Sequence, residues 1–269
     1  MTAPIALARR PRIVAGNWKM NRVAPEGAAL ARELASLHAA DPAASGAPLA
    51  VLCPPYPALE AVARALAGTG MQLGAQNLHA ERSGAFTGEV SGEMLAAVGC
   101  RWVIVGHSER RQLMGETDAQ VAAKLRAARR DGLTPIVCVG ETLAEREGGR
   151  TEDVLVRQVT AAWHGLGGAE ARATVVAYEP VWAIGTGKVA SPAQARDAHR
   201  VIRATLDRVV GEGAGAAMAI LYGGSVNAGN AAALFAENDV DGALVGGASL
   251  EAASFWKIVG AAATAEVAR

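Results

Sequence analysis

Eight short runs of apolar, mostly β-branched residues recur along this chain, and an Ala-rich helical stretch accompanies each of them. The runs are residues 12–15, 49–53, 71–74, 102–105, 135–139, 174–178, 217–222 and 242–245. Most are apolar at every position rather than at every second one, so they offer no face to water. Strands of that kind are parallel and covered on both sides. Parallel neighbours need a crossover, and the helical stretches provide it. Eight such units within roughly 250 residues close on themselves as a (β/α)8 barrel, an α/β fold of eight parallel strands with surrounding helices. The competing open, doubly wound sheet carries a Gly-rich fingerprint after its first strand. Here that strand leads into Gly16-Asn17-Trp18-Lys19, which has no GxGxxG.

Helix punctuation fits the same plan. A helix is predicted over 117–130, with Glu116 or Thr117 as its cap and Asp131-Gly132 as its stop. A second runs from Ser191-Pro192 to Val210, with proline at the first helical position. Asn227 and Ser249 are candidate caps for the last two helices. No boundary divides residues 12–269, which read as a single catalytic domain; the Pro/Ala/Gly-rich loop 41–48 is too short to act as a linker. Residues 1–11 form a basic, Ala-rich tail that is expected to be exposed. It lacks the apolar centre of a secretory signal, and a short organellar presequence is the alternative reading.

Composition excludes several functions. The 26 Lys and Arg balance 26 Asp and Glu, and a neutral chain argues against general binding to nucleic acid or an acidic membrane. With 51% apolar residues the core needs no disulfide or metal staple. Cys53, Cys100 and Cys138 show neither CxxC nor Cys/His metal spacing, so a cytoplasmic, reducing compartment is expected. No apolar run reaches the ~18–20 residues of a membrane span.

The reactive groups of such a barrel stand at the ends of the strands and in the loops after them. In order, those places hold Asn17 and Lys19 after the first strand, then His107, Ser108, Glu109 and Arg110 after the fourth. Glu141 follows the fifth, Glu179 stands at the sixth, Gly223-Gly224-Ser225 follow the seventh and Gly246-Gly247 the eighth. Pro180 pushes Glu179 toward extended geometry, so its carboxylate is aimed. Val181-Trp182-Ala183-Ile184 then run into Gly185-Thr186-Gly187-Lys188, an apolar loop suited to covering a site and expelling water. In a dry site a carboxylate becomes a stronger base.

Gly223-Gly224-Ser225-Val226-Asn227 is expected to lead directly into a helix, and Gly246-Gly247-Ala248-Ser249 repeats that arrangement. Free backbone N–H groups at a helix start hold anions, and loops seven and eight are the usual phosphate cradle of this fold. His107 opens a helix, where the imidazolium is disfavoured, so a neutral ring donating a hydrogen bond is expected. Lys19 can balance a substrate anion and stabilise an oxyanion. Glu109 reads as a partner for a cation such as Lys19. His38, His79, His164 and His199 fall at no strand end and read as structural, and Cys138 reads as packing. Gly185-Thr186-Gly187-Lys188 is not a P-loop, because Trp182 and Val189 stand where that pattern needs Gly and Ser/Thr. Gly106-His107-Ser108-Glu109-Arg110 is not a nucleophile elbow, because Arg110 stands in place of glycine.

Six motifs together resemble the triosephosphate isomerase family. They are Gly16-Asn17-Trp18-Lys19-Met20-Asn21, Gly84-Ala85-Phe86-Thr87-Gly88-Glu89, Gly106-His107-Ser108-Glu109-Arg110-Arg111, the run from Tyr178 to Lys188, Tyr222-Gly223-Gly224-Ser225-Val226, and the run from Asp241 to Ser249. They cover nearly the whole chain in family order. The resemblance implies interconversion of dihydroxyacetone phosphate and D-glyceraldehyde 3-phosphate, in glycolysis and gluconeogenesis, with no cofactor and no metal. It implies Glu179 as the base, His107 and Lys19 on the enediolate oxygens, Asn17 beside them, and Gly185, Ser225, Gly246 and Gly247 on the phosphate. It also implies a homodimer through the loop from Gln76 to Glu89, with Thr87 steadying Asn17 and Lys19 of the other subunit. Two alternatives stay open. One is a different barrel enzyme on the same phosphate site, such as an aldolase or a sugar-phosphate epimerase. The other is a catalytically silent phosphate-metabolite binder or scaffold.

Overall fold

The computed structural model describes residues 10–41, 48–186 and 188–265. The strands are β1 (Ile13–Asn17), β2 (Leu49–Cys53), β3 (Gln72–Ala75), β4 (Trp102–Val105), β5 (Thr134–Val139), β6 (Val175–Tyr178), β7 (Ile220–Tyr222) and β8 (Gly242–Val245). They form one closed parallel barrel in sequence order, with β1 pairing both β2 and β8. At that last seam Gly242 has φ 145°, and a Cβ there would lie 1.8 Å from the Ile13 carbonyl oxygen. Only glycine lets β8 come that close to β1.

The two-residue period of each strand sorts its side chains. Ile13, Ala15, Ile104, Ile136, Val175 and Leu221 belong to the cluster that fills the barrel. Their neighbours Val14, Leu52, Val103, Val137 and Val176 belong to the larger layer under the helices. Continued upward, the alternation Ile13, Ala15, Asn17 and Val175, Ala177, Glu179 carries an amide and a carboxylate to the mouth. Burial on both faces explains why these strands read as unbroken apolar runs.

Helix boundaries follow local chemistry. Asp118–Arg130 starts at Thr117, not Glu116, through a capping box with Gln120. Pro192–Val210 starts at Ser191 through a capping box with Gln194. Four expectations need correction. The expected strand 12–15 begins at Ile13 and extends to Asn17. The expected strand 217–222 begins only at Ile220, because Ala214–Ala217 forms a short helix. The loop after β7 does not lead directly into a helix: turns bridge residues 227–230, with Asn227 Oδ1 accepting from the N–H groups of Gly229 and Asn230, and the helix is Ala231–Phe235. Ser249 caps no helix; it lies in the turn Gly247–Leu250, and its hydroxyl donates to the Gly246 carbonyl at 2.7 Å.

Residues 1–9 of the expected tail and 42–47 of the expected loop lie outside the described residues. Arg10, within that tail, is half-buried beneath the barrel. It pairs with Asp241 at 3.3 Å, and Asp241 also pairs with Arg203 at 2.5 Å.

Candidate active site

The end of β1 is bent and held. Lys19 has φ 51°, a left-handed conformation costly for a residue with a side chain. Three hydrogen bonds hold that turn. Lys19 N–H donates to Asn17 Oδ1 at 3.0 Å, and the Gln76 amide donates to the carbonyls of Lys19 at 2.8 Å and Cys53 at 2.9 Å. The lysine side chain passes near Gly246, whose absent Cβ would sit 3.6 Å from Lys19 Cε. Its ammonium meets Glu109 Oε1 at 2.5 Å.

His107 is the N-cap of the helix Ser108–Met114, and its Nδ1 accepts the Glu109 N–H at 3.2 Å. That bond fixes the tautomer: the ring proton is on Nε2. Burial lowers the imidazole pKa, but the charge of Glu179 beside it raises it further, and the net direction is up. A second proton would have to go on Nδ1, which already faces a backbone N–H, so the neutral ring is the form that fits.

Glu179 follows β6 and is buried, 2% exposed. Its Oε2 accepts the Ser108 N–H at 2.9 Å, and its Oε1 lies 2.9 Å from His107 Nε2. The ring N–H is not aimed along that line, so Oε1 keeps no aligned donor despite the short distance. Burial pushes the carboxyl pKa up; a positive charge on His107 would pull it below the ordinary value, and with the ring neutral the offset rests on hydrogen bonding, chiefly from the His107 ring and the Ser108 N–H. Glu179 as it stands here is therefore not the strong base that burial alone would make. Cys138 is fully buried in the cluster that fills the barrel, as its packing reading expects.

The loop after Glu179 begins as a turn, Val181–Ala183. Its anchor is Glu141, a fully buried carboxylate that receives Trp182 Nε1 at 2.8 Å, the Tyr178 hydroxyl at 3.1 Å and Arg146 at 3.1 Å. Arg146 also lies over the Trp182 ring, 4.6 Å from its centre. Ser225 Oγ donates to the Ala183 carbonyl at 2.7 Å, tying this loop to the one after β7. Sequence reasoning located Glu141 at a strand end but found no role for it. Ser108 too was located at a strand end without a role, and Gln76, Tyr178 and Arg146 were missed.

Asn17, Lys19, His107, Glu179, Gly185, Ser225, Gly246 and Gly247 all line one cavity of about 350 Å³ at the barrel mouth. Glu109 stands just outside it, holding Lys19. Gly187 lies outside the described residues. Thr87 is not brought to this site; it belongs to the exposed run 81–89. The Glu179 carboxylate, the His107 ring and the Lys19 ammonium all line the cavity. The opposite wall is glycine backbone and one hydroxyl, open enough for a tetrahedral anion. That pairing suits proton transfer on a small phosphorylated carbonyl compound. None of the eight strands contains a lysine, which removes the basis for a Schiff-base aldolase. Among the described residues no group of three or more His, Cys, Asp or Glu is placed to hold a metal ion.

Comparison with known proteins places this geometry. The family model described as triosephosphate isomerase matches residues 12–262. A triosephosphate isomerase from Rhodopirellula baltica is 52% identical, over 94% of this chain and 98% of the relative. One from Moorella thermoacetica is 55% identical, over 93% and 98%. The crystal structure of triosephosphate isomerase from Bartonella henselae superimposes with a TM-score of 0.82 at 38% identity, covering 93% of this chain and 98% of that one. The chain belongs to the triosephosphate isomerase family.

Proposed function

We propose that this cavity interconverts dihydroxyacetone phosphate and D-glyceraldehyde 3-phosphate, a step of glycolysis and gluconeogenesis. The observation that carries the reading is the convergence of Glu179, His107 and Lys19 on one cavity whose far wall is Gly185, Ser225, Gly246 and Gly247. The phosphate sits on that far wall, which places the triose carbons over Glu179. Glu179 takes the proton from the carbon next to the carbonyl and returns it to the neighbouring carbon. His107 Nε2–H and Lys19 Nζ stabilise the enediolate oxygens, with Asn17 beside them.

Magnitudes decide how the work is divided. An enzyme lowers the barrier by ~8–23 kcal/mol, whereas a positioned base supplies only about 10²–10⁴-fold, or roughly 3–5 kcal/mol. The rest comes from donors preorganised toward the developing oxyanion and from fixing the substrate. Glu179 must leave the Ser108 N–H, 2.9 Å away, before it can act. Once it does, one of the contacts that offset burial is gone and its basicity rises. Closure of the segment 181–188 over the phosphate completes the desolvation and keeps the intermediate from losing phosphate. Gating by this loop is a known device of the family.

A homodimer through the loop from Gln76 to Glu89 accompanies this reading. Met20, Leu113, Met114 and Phe86 are exposed, Met20 by 95%. A second, largely apolar cavity of about 310 Å³, lined by Met20, Leu113 and Met114, opens beside Asn17 and Lys19. The matching loop of another copy, with Thr87 near its tip, fits there. The free, buried Cys53, Cys100 and Cys138 suit a reducing cytoplasm. Among the described residues no helix is long and apolar enough to cross a membrane.

The test is an assay of the purified chain on D-glyceraldehyde 3-phosphate, coupled to detection of dihydroxyacetone phosphate, and then in the reverse direction. Isomerisation both ways is expected. A folded chain that binds phosphate but converts neither sugar would overturn the reading.

A further inference from the structure

Glu179 has to be aimed, and the part of the backbone that aims it is Gly140. This glycine ends the run of β5 beside the base. Two rungs bracket it, Glu179 N–H to the Val139 carbonyl at 2.8 Å and Val181 N–H to the Glu141 carbonyl at 3.1 Å. Between those rungs the two chains touch: a Cβ on Gly140 would stand 1.7 Å from the Glu179 carbonyl oxygen. Any drift of the Gly140 peptide is therefore passed directly to the peptide that carries the base.

On its other edge Gly140 is held by a single side chain. Gln158, buried on the helix Thr151–Trp163, accepts the Gly140 N–H at 2.7 Å and donates to the Gly140 carbonyl at 3.3 Å. The amide thus supplies both groups that an adjoining strand would. Gly140, Gln158 and Glu179 also line a cavity of about 430 Å³, so packing on this side is incomplete. We infer that Gln158 is a positioning residue for the reaction, acting through Gly140 on the direction of Glu179. The inference rests on Glu179 being the base.

The experiment replaces Gln158 with Met, which keeps the volume and removes both hydrogen bonds. The kcat for D-glyceraldehyde 3-phosphate is expected to fall by ~10–100-fold, as for a misplacement of less than about 1 Å. KM and inhibition by inorganic phosphate should stay within about threefold, because the phosphate loops are untouched. In a Glu179→Gln background the same change should cost less than about twofold, since there is no longer a base to aim. A residue that only stabilised the fold would lower Tm and leave kcat per folded molecule unchanged. Should Gln158→Met fail to fold, Gln158→Glu keeps the shorter bond, and an intermediate loss of kcat is expected. A kcat within twofold of the parent in the folded variant, or an undiminished loss on the Glu179→Gln background, would overturn the inference. Amide exchange at Gly140 gives a readout independent of turnover. Faster exchange in Gln158→Met with no isomerase activity in the parent would indict the assignment of the base, and unchanged exchange would indict the clamp.

Discussion

Adding one methyl group at Gly140 should disable this site without altering any side chain that meets the substrate. In Gly140→Ala the new carbon would lie 1.7 Å from the Glu179 carbonyl oxygen and 3.2 Å from its Cα. Ordinary contact begins near 3.4 Å, so the two peptides must part by more than about 1.5 Å. Backbone cannot yield as a flexible side chain does. The rungs on either side, at 2.8 and 3.1 Å, stretch or break. At about 1 kcal/mol for each lost hydrogen bond, plus the strain of the shift, stability should fall by roughly 2–4 kcal/mol. Misplacing a reacting group by about 1 Å costs ~10² in rate, or about 2.7 kcal/mol of barrier, so kcat should fall at least that far. KM should change little. The assay is steady-state turnover of D-glyceraldehyde 3-phosphate per folded molecule, with Tm measured alongside. Gly167→Ala is the control, since a Cβ there meets nothing within 4 Å. A Gly140→Ala enzyme with parental Tm and kcat within threefold of the parent would refute the contact argument.

Two further expectations follow from other parts of the molecule. His199 is fully buried against Tyr178 and the Asp239 carbonyl, and burial lowers its pKa to about 4. The unfolded chain binds this proton near pH 6.5, so the stabilising contribution is whole above that pH and is lost as pH falls toward 4. At about 1.4 kcal/mol for each unit of pKa difference, the loss approaches ~3 kcal/mol. Urea midpoints of the parent and of His199→Gln, compared from pH 7 to 4, should therefore converge by about that amount, and parallel curves would contradict it. Removing two residues from the segment 184–187 should lower turnover by ~10² or more and raise the inorganic phosphate released per turnover. A shortened loop that slows isomerisation with no added phosphate release would show that the loop does not shield the intermediate.

The strands were legible because burial on both faces leaves only apolar residues, and runs such as Trp102–Val105 carry that mark openly. Where a residue serves either structure, reading failed. Ala217, Met218 and Ala219 extend a strand on paper, but alanine is the best helix former, and the helix Ala214–Ala217 takes the first of them. Asn227 was visible as a cap, yet it closes a turn before the helix starts. Asn17, Lys19, His107 and Glu179 could be found because they are polar residues at strand ends. The roles of Glu141, Gln76 and Gln158 could not, because their work lies in contacts with residues 18 to 57 positions away. The lowered pKa of Glu179 was missed for a related reason. Desolvation can be anticipated from an apolar lid, but the contacts that offset it, with His107 and with the Ser108 N–H 71 residues away in sequence, are tertiary.

In the proposed reaction one carboxylate carries the proton between two carbons of a phosphorylated triose. Glu179→Gln tests it most directly, because the substitution keeps the shape and removes the base. A folded protein that still binds inorganic phosphate is expected, with kcat reduced by at least ~10³-fold, as loss of a positioned base requires. Turnover near the parental rate by that folded variant would contradict it.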